Sequence, residues 1–174
     1  MKTVIIITGN KGSGKTYTGS LIEKEMSIPF LRVEPIFLNI IKGRNPFDPE
    51  YIHEGFILVE KELLKILENS NIVSFETTGV AEESKELINK LKLKNRVIII
   101  RIDASPELCL QRIRKRDQTE HISVSEDLIH EINAAVPLQN IKADLILKNE
   151  TLTGKEIIAS ISNFINKIKN HDKY

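Results

Sequence analysis

A glycine-rich segment near the start of the chain constrains the fold more than any other feature of the sequence. It reads Gly9-Asn10-Lys11-Gly12-Ser13-Gly14-Lys15-Thr16 and matches G-x-x-x-x-G-K-[ST] at every fixed position. A short β-branched run, Val4–Ile7, precedes it, and helix-forming sequence follows it. A glycine-rich turn that matched by chance would not require these flanks. The segment therefore predicts a phosphate-binding loop between a buried strand and a helix.

The residue types in this loop fit a nucleoside triphosphate and its magnesium ion. Glycines let backbone N–H groups turn inward, and the following helix adds the partial positive charge of its N-terminus. Lys15 can reach the β- and γ-phosphates, and the Thr16 hydroxyl can ligate Mg²⁺. ATP and Mg²⁺ are therefore the expected cofactors. The predicted nucleotide-binding residues are the loop and the residue after it: Gly9, Asn10, Lys11, Gly12, Ser13, Gly14, Lys15, Thr16 and Tyr17.

Composition and charge exclude several other classes of protein. The 174 residues suit a single domain spanning 1–174. Lys+Arg 25 against Asp+Glu 24 gives a formal net charge of +1, so nothing electrostatic favours nucleic acid or a membrane surface as a partner. The lone Cys109 rules out an internal disulfide and is expected to be a buried apolar residue. No apolar stretch approaches the ~18–20 residues of a membrane span, and the N-terminal run is too short for a signal peptide, so we expect a cytoplasmic protein.

Apolar runs alternate with helical stretches along the chain, which predicts an α/β domain with a parallel sheet covered by helices on both faces. The five strands are predicted at about residues 3–8, 29–33, 71–76, 96–102 and 144–148. Helices are predicted at about residues 14–26, 35–42, 49–69, 81–92 and 106–116. Capping boxes at Ser123-x-x-Glu126 and Thr153-x-x-Glu156 open two further helices.

Two of these helices carry residues that are expected to face the sheet. In the first helix these are Tyr17, Leu21 and Ile22. The longest helix carries one apolar stripe at spacings of three and four, formed by Ile52, Phe56, Val59, Leu63, Ile66 and Leu67. Both sets are interpreted as core.

The chain resembles the small-molecule kinases of the P-loop NTPase fold, the group that contains nucleoside monophosphate, shikimate and dephospho-coenzyme A kinases. The first half is most similar to shikimate kinase, through Ile28-Pro29-Phe30 before the second strand and Glu54-Gly55-Phe56 in a helix before the third. The second half is similar to dephospho-coenzyme A kinase, through the arginine-bearing helix segment 111–117 and the Ala-Asp-strand-Asn segment 143–149. The resemblance implies a five-stranded P-loop NTPase fold with a short lid at about 117–124 and with Asn149 near the adenine. It also implies ATP-dependent phosphoryl transfer to a small-molecule acceptor.

The acceptor side departs from the shikimate kinase pattern. Arg32 and Glu34 stand where that family has two acidic residues, and Ile57 stands where it has an arginine. The segment Glu76–Gly79 replaces a glycine-rich run. A shikimate carboxylate would lose a charge-assisted hydrogen bond, worth about 1.5–3 kcal/mol. We therefore expect an acceptor other than shikimate.

Arginines near the lid are candidates for stabilising the transferring phosphoryl group. Arg112 and Arg116 are four residues apart and are expected to share one helix face that points to the phosphate, whereas Arg114 should point elsewhere. The alternative is solvated charge at a helix C-terminus, which the helix dipole favours. His121 in the lid is expected to be exposed to solvent, the alternative being a catalytic role.

Two carboxylates are candidates for metal binding and for acting on the acceptor. Glu76 ends a central strand, where it can serve the metal with Thr16 or act as a base; the alternative is a structural ion pair. Glu34 can bind the acceptor or act as base on its hydroxyl, unless it only begins a helix. Arg32 can hold an anionic acceptor or pair with Glu34. The predicted catalytic residues are Lys15, Glu34, Glu76, Arg112 and Arg116.

Three functions remain open from the sequence. The first is an ATP-dependent kinase of a small metabolite. The second is a nucleotide-binding module that senses ATP without efficient chemistry, which the divergent acceptor residues suggest. The third, a nucleic-acid end kinase, is disfavoured by the neutral charge balance. The oligomeric state and the choice between ATP and GTP stay open.

Overall fold

The computed structural model describes residues 1–116, 121–122 and 124–171. Most of the predicted lid, including 117–120 and Ser123, lies outside the described residues. Within the described part of the chain, no helix combines the length and apolar character that crossing a membrane requires.

The prediction of a five-stranded parallel sheet is confirmed. The strands are β1 (Thr3–Thr8), β2 (Phe30–Leu31), β3 (Ile72–Thr77), β4 (Arg96–Asp103) and β5 (Leu145–Lys148). They lie in the order β2-β3-β1-β4-β5, so β1 is central and hydrogen-bonds to a parallel neighbour on each side. β2 is shorter than predicted because only Phe30 and Leu31 pair with β3 before the next helix begins.

Seven α-helices cover this sheet in the described part of the chain. They are α1 (Lys15–Met26), α2 (Glu34–Ile41), α3 (Pro49–Asn69), α4 (Glu82–Lys94), α5 (Pro106–Lys115), α6 (Glu126–Ala135) and α7 (Gly154–His171). The capping box of α7 is confirmed, with the Thr153 amide 2.8 Å from Glu156 Oε2 and the Glu156 amide 3.3 Å from Thr153 Oγ1. At α6 the N-cap is Ser125, whose hydroxyl accepts from the Leu128 amide at 3.4 Å.

Period-two alternation along the strands divides the core into two layers. Val4 and Ile6 of β1 pack with Val59 and Leu63 of α3 and with α4 on one face. Ile5 and Ile7 face the other side, where α1 and α7 cover them. Both faces of β1 are therefore buried, as its unbroken apolar run predicts for a central parallel strand.

The sheet brings distant parts of the sequence to one edge. Glu76 in β3 is in register with Ile7 in β1, so it lies beside the loop that follows β1. α2 begins at Glu34, just after β2 ends on the same edge. Ile22 is fully buried against the sheet, but Tyr17 is 54% exposed, so the expectation that Tyr17 faces the sheet is wrong. Parallel strands thus collect the loop, Glu34 and Glu76 where open α/β sheets bind ligands.

Candidate active site

The loop between β1 and α1 has a backbone conformation that requires glycine at several of its positions. Gly12 and Gly14 have φ angles of 84° and 104°, in the left-handed region that side chains disfavour. A Cβ atom on Gly12 would lie 2.4 Å from the Cys109 carbonyl oxygen, and one on Gly14 would lie 2.5 Å from Asn149 Nδ2. The glycines of the motif therefore allow both the turn and the close approach of α5 and β5.

Side chains from the second half of the chain hold the loop from behind. Arg112 donates from Nη1 to the Ser13 carbonyl oxygen at 3.1 Å and from Nη2 to the Asn149 carbonyl oxygen at 3.0 Å. Asn149 Nδ2 also donates to the Ser13 carbonyl oxygen, at 2.8 Å. The predicted role of Asn149 near the adenine stays a prediction, while its observed contact is with the loop backbone.

A further support comes from Asn133 in α6, which the sequence analysis missed. The Lys11 amide donates to Asn133 Oδ1 at 2.7 Å, and Asn133 Nδ2 returns a bond to the Lys11 carbonyl oxygen at 3.2 Å. An asparagine within an amphipathic helix carries no signal of such a contact, because its partner is a backbone 122 residues away.

Lys15 is folded back onto the loop. Its Nζ donates to the carbonyl oxygens of Gly9 and Asn10 at 3.0 and 2.8 Å. Burial lowers the pKa of Lys15 to about 8, although the nearby Glu76 carboxylate acts in the opposite direction. Burial also lowers the pKa of Lys11, against the influence of Glu34. Both ammonium groups are thus held poorly solvated, in a position where phosphate oxygens would stabilise their charge.

Thr16 and Glu76 meet as the sequence analysis expects of a metal site. The Thr16 hydroxyl donates to Glu76 Oε2 at 2.7 Å, and Glu76 is only 8% exposed. Two hard oxygen ligands at this spacing fit Mg²⁺, which takes few protein ligands and fills its octahedron with phosphate oxygens and water. No group of three or more His, Cys, Asp or Glu side chains is close enough to hold a metal among the described residues.

Glu34 is engaged by the segment that follows the undescribed lid residues. Its Oε2 lies 2.6 Å from His121 Nδ1, and its Oε1 accepts from the Ile122 amide at 2.9 Å. The expectation that His121 is solvent-exposed is wrong, since its side chain is 14% exposed. Burial alone would raise the pKa of Glu34, but Lys11 and these hydrogen bonds outweigh burial and lower it. Glu34 is therefore a carboxylate at neutral pH.

The two candidate arginines differ in environment. Arg116 follows the end of α5 and has extended backbone. The prediction that it shares a helix face with Arg112 is therefore wrong. Its Nε is buried and has no hydrogen-bond partner among the described residues, and burial lowers its pKa against the pull of Glu34 and Glu76. Arg114 points elsewhere, as expected, and pairs with Glu126 at 2.7 Å.

Most of the predicted site residues surround one cavity of about 460 Å³ beside the loop. The predicted site residues that line it are Lys11, Gly12, Gly14, Lys15, Thr16, Tyr17, Glu34, Glu76, Arg112 and Arg116. The others, Gly9, Asn10, Ser13 and Asn149, lie outside the described lining and belong to the loop and its supports. Arg32 and Ile57 are also outside the described lining.

Aromatic residues of α2 and α3 line the side of the cavity away from the loop. Phe37 packs edge-to-face on Tyr51 and Phe56, and all three line the cavity. The sequence alone does not mark these three residues as site residues. Their apolar character and helical spacing fit core packing equally well, and only the three-dimensional arrangement separates the two roles.

Known proteins share sequence similarity with most of this chain. The profile of the shikimate kinase family matches residues 11–166. A shikimate kinase of Hahella chejuensis is 27% identical over 169 residues, covering 92% of this chain and 84% of that protein. One of Thermodesulfovibrio yellowstonii is 24% identical over 174 residues, covering 98% of each.

A solved structure shares the fold as well. Shikimate kinase of Acinetobacter baumannii in complex with shikimate superposes with a TM-score of 0.69 at 18% identity, covering 97% of this chain and 95% of that one. The family match favours the kinase over the ATP-sensing module and the nucleic-acid end kinase. The chain therefore belongs to the shikimate kinase family and is an ATP-dependent small-molecule kinase.

Proposed function

We propose that the chain transfers the γ-phosphoryl group of ATP to a hydroxyl of an acceptor held between the phosphate loop and helices α2 and α3. The observation that carries this proposal is the pair of carboxylates in one cavity with different partners. Glu76 contacts the Thr16 hydroxyl, whereas Glu34 contacts His121 and the Ile122 amide. Groups in such different surroundings suit different roles.

The loop side would hold the nucleotide. Lys15 would exchange the Gly9 and Asn10 carbonyl oxygens for phosphate oxygens, and Lys11 would also bind phosphate, which would stabilise both buried charges. Thr16 and Glu76 would hold Mg²⁺, Glu76 directly or through water. The ion, when bound, neutralises charge on the β- and γ-phosphates.

Glu34 would act on the acceptor. An ionised carboxylate can only accept hydrogen bonds, so the acceptor hydroxyl would donate to it in place of His121 or the Ile122 amide. As the hydroxyl oxygen bonds to the γ-phosphorus and the bond to the β-phosphate oxygen breaks, the proton would pass to Glu34 and ADP would leave. Arg116, whose buried Nε has no described partner, would donate to the moving phosphoryl group.

A magnesium titration of two isosteric variants tests this division of roles. Glu76→Gln should raise the Mg²⁺ concentration that gives half-maximal activity, because a neutral amide is a poor ligand for the ion. Glu34→Gln should lower kcat and leave the magnesium dependence unchanged. Glu68→Gln, at an exposed position in α3, is the matched control and should change neither. Equal magnesium dependence in all three variants would overturn the metal role of Glu76.

A further inference from the structure

The cavity wall opposite the phosphate loop is built from tightly packed aromatic rings. Phe37 lies with its ring centroid 5.5 Å from that of Tyr51 at 78° and 5.4 Å from that of Phe56 at 75°. Such edge-to-face contacts fix the orientation of each ring. The Tyr51 hydroxyl donates to the Phe37 carbonyl oxygen at 3.0 Å, so this donor is already used inside the wall.

Gly55 allows this wall to form. A Cβ atom at position 55 would lie 2.2 Å from the Phe37 ring, so the ring rests directly on the backbone of α3. Apolar side chains from several segments continue the lining around the aromatic rings: Val33, Phe47, Ile52, Ile122 and Val124. The far side of the cavity is thus an apolar, preformed surface.

The positive charge of the described lining comes from a few residues near the phosphate loop. The Lys and Arg residues of the described lining are Lys11, Lys15, Arg112 and Arg116, which belong to the loop and to the end of α5. His121, also in the lining, is bonded to Glu34. The undescribed positions within the predicted lid, 117–120 and 123, are Asp, Gln, Thr, Glu and Ser in the sequence, so these five positions carry no cationic side chain.

Two neighbouring positions also place no cation in the described lining. Ile57, which stands where shikimate kinases carry an arginine, is 53% exposed and lies outside the described lining. Arg44 lies over the Tyr51 ring, but its guanidinium bonds Glu54 and the Ile40 carbonyl oxygen, each at 2.8 Å. A carboxylate on the acceptor would therefore be buried against rings without a partner, next to two protein carboxylates.

We propose that the acceptor is an uncharged alcohol with an apolar ring, an inference that rests on the proposed kinase reaction and narrows its substrate class. The ring packs against Phe37, Phe56 and their apolar neighbours, and the hydroxyl reaches Glu34. The cavity of about 460 Å³ is of a size that ligand sites commonly have.

Polyhydroxylated acceptors fit this wall poorly. The Thr77 hydroxyl, which lines the cavity, is bonded to Ser84 Oγ at 2.8 Å and accepts from the Gly79 amide at 3.0 Å. Several sugar hydroxyls or the edge of a nucleobase would be desolvated with few groups to bond. An acceptor with one hydroxyl on an apolar ring fits this wall better.

The test compares ring alcohols that differ in charge, using the full chain with ATP and Mg²⁺. Cyclohexylmethanol and benzyl alcohol represent the uncharged class, and their 4-carboxylated counterparts have the same ring and hydroxyl. Shikimate is included in the panel. ADP release and the phosphorylated product are measured together. We expect kcat/KM to fall by at least about 100-fold when the carboxylate is added, because the wall offers that charge no partner.

A pair of variants separates wall chemistry from general effects of charge. Phe47 lines the cavity on a loop and is 40% exposed, so Phe47→Arg adds a cation to the wall with little risk to the fold. It should raise kcat/KM for the carboxylated alcohols by about 10-fold. Ile57→Arg adds the same charge outside the described lining and should leave both classes unchanged.

The outcomes for the inference and for the kinase reaction differ. If kcat/KM for the carboxylated alcohols or for shikimate equals that for the uncharged alcohols, the inference is overturned and the kinase reaction still stands. No acceptor-dependent ADP release with any member of the panel would overturn both. Improved use of carboxylated acceptors by Ile57→Arg, but not by Phe47→Arg, would show that the wall has been assigned to the wrong residues.

Discussion

In the proposed reaction, the two sides of the cavity would recognise their ligands by different means. On the donor side, the backbone of a glycine-rich loop faces the ligand, and Arg112, Asn133 and Asn149 fix that backbone through its carbonyl and amide groups. On the proposed acceptor side, the surface is formed by side chains of α2 and α3 together with apolar side chains from other segments. The loop needs glycine where its φ angles are positive, so its sequence can vary little. The ligand preference of a wall made of side chains can change when those side chains are substituted. A family can thus keep one nucleotide site while its acceptor site diverges.

The strongest test of this comparison weakens phosphate binding on the donor side and leaves the acceptor side unchanged. Lys15→Ala should lower phosphotransfer by at least about 10³-fold, because its ammonium would lie on the charge that develops at the phosphates. Acceptor binding, measured by calorimetry, should persist. Lys61→Ala, an exposed lysine of α3, is the control. A Lys15→Ala variant with full activity would contradict the donor assignment.

The next test changes Glu34, which lies between the donor side and the acceptor side of the proposed site. Glu34→Gln should lower kcat by about 10²-fold, since the acceptor hydroxyl loses its proton acceptor. ATP affinity should change little, which isothermal titration with a non-hydrolysable analogue can measure. A large loss of ATP affinity with unchanged kcat would move Glu34 to the donor side and break the comparison.

A third test changes the acceptor wall without touching the donor side. Gly55→Ala forces a methyl group into the Phe37 ring, so the ring must shift. We expect a free energy of unfolding lower by about 1–3 kcal/mol and a higher acceptor KM, with ATP affinity unchanged. Leu64→Ala, at a half-exposed position of the same helix, serves as the control in thermal denaturation and kinetics. An equal effect on ATP affinity would show that the two sides are not independent.

The smallest effect concerns pH. In the ATP-free protein the pKa of Lys15 is about 8, so this side chain loses its positive charge as the pH rises from 7 to above 8. The affinity of the protein for ATP should therefore fall a few-fold over this range. In the unfolded chain this lysine keeps its proton up to about 10.5, so the unfolded state binds more protons between these values. Lys15 should therefore make the free energy of unfolding rise with pH over that interval. In Lys15→Met this contribution should vanish; an unchanged pH profile would contradict the lowered pKa.

Sequence reasoning predicted the architecture well because each element carries a local signal. The boundaries of α3 are those expected, since Pro49 at its start and the apolar stripe are local features. The pairing of Thr16 with Glu76 was also predictable, because a loop after one parallel strand and a carboxylate at the end of another must meet at one edge.

Contacts between distant segments account for most of the failures. His121 was expected in solvent because nothing in its neighbourhood reveals Glu34, 87 residues earlier. Arg116 was placed on a helix face because its spacing from Arg112 is helical, but the chain leaves the helix at that residue. Phe56 is interpreted as core from its helical spacing and does pack against the core, but it also lines the cavity, because periodicity cannot distinguish a buried face from one that lines a cavity.

The supports of the phosphate loop have a consequence for synthesis on the ribosome. The loop emerges first, but the residues that hold it follow 99 residues later for Arg112, 122 for Asn133 and 136 for Asn149. A nascent chain that ends after β4 would contain the whole motif and none of these anchors. We therefore expect nascent chains to gain full nucleotide affinity only after Asn149 has been synthesised and has reached the loop.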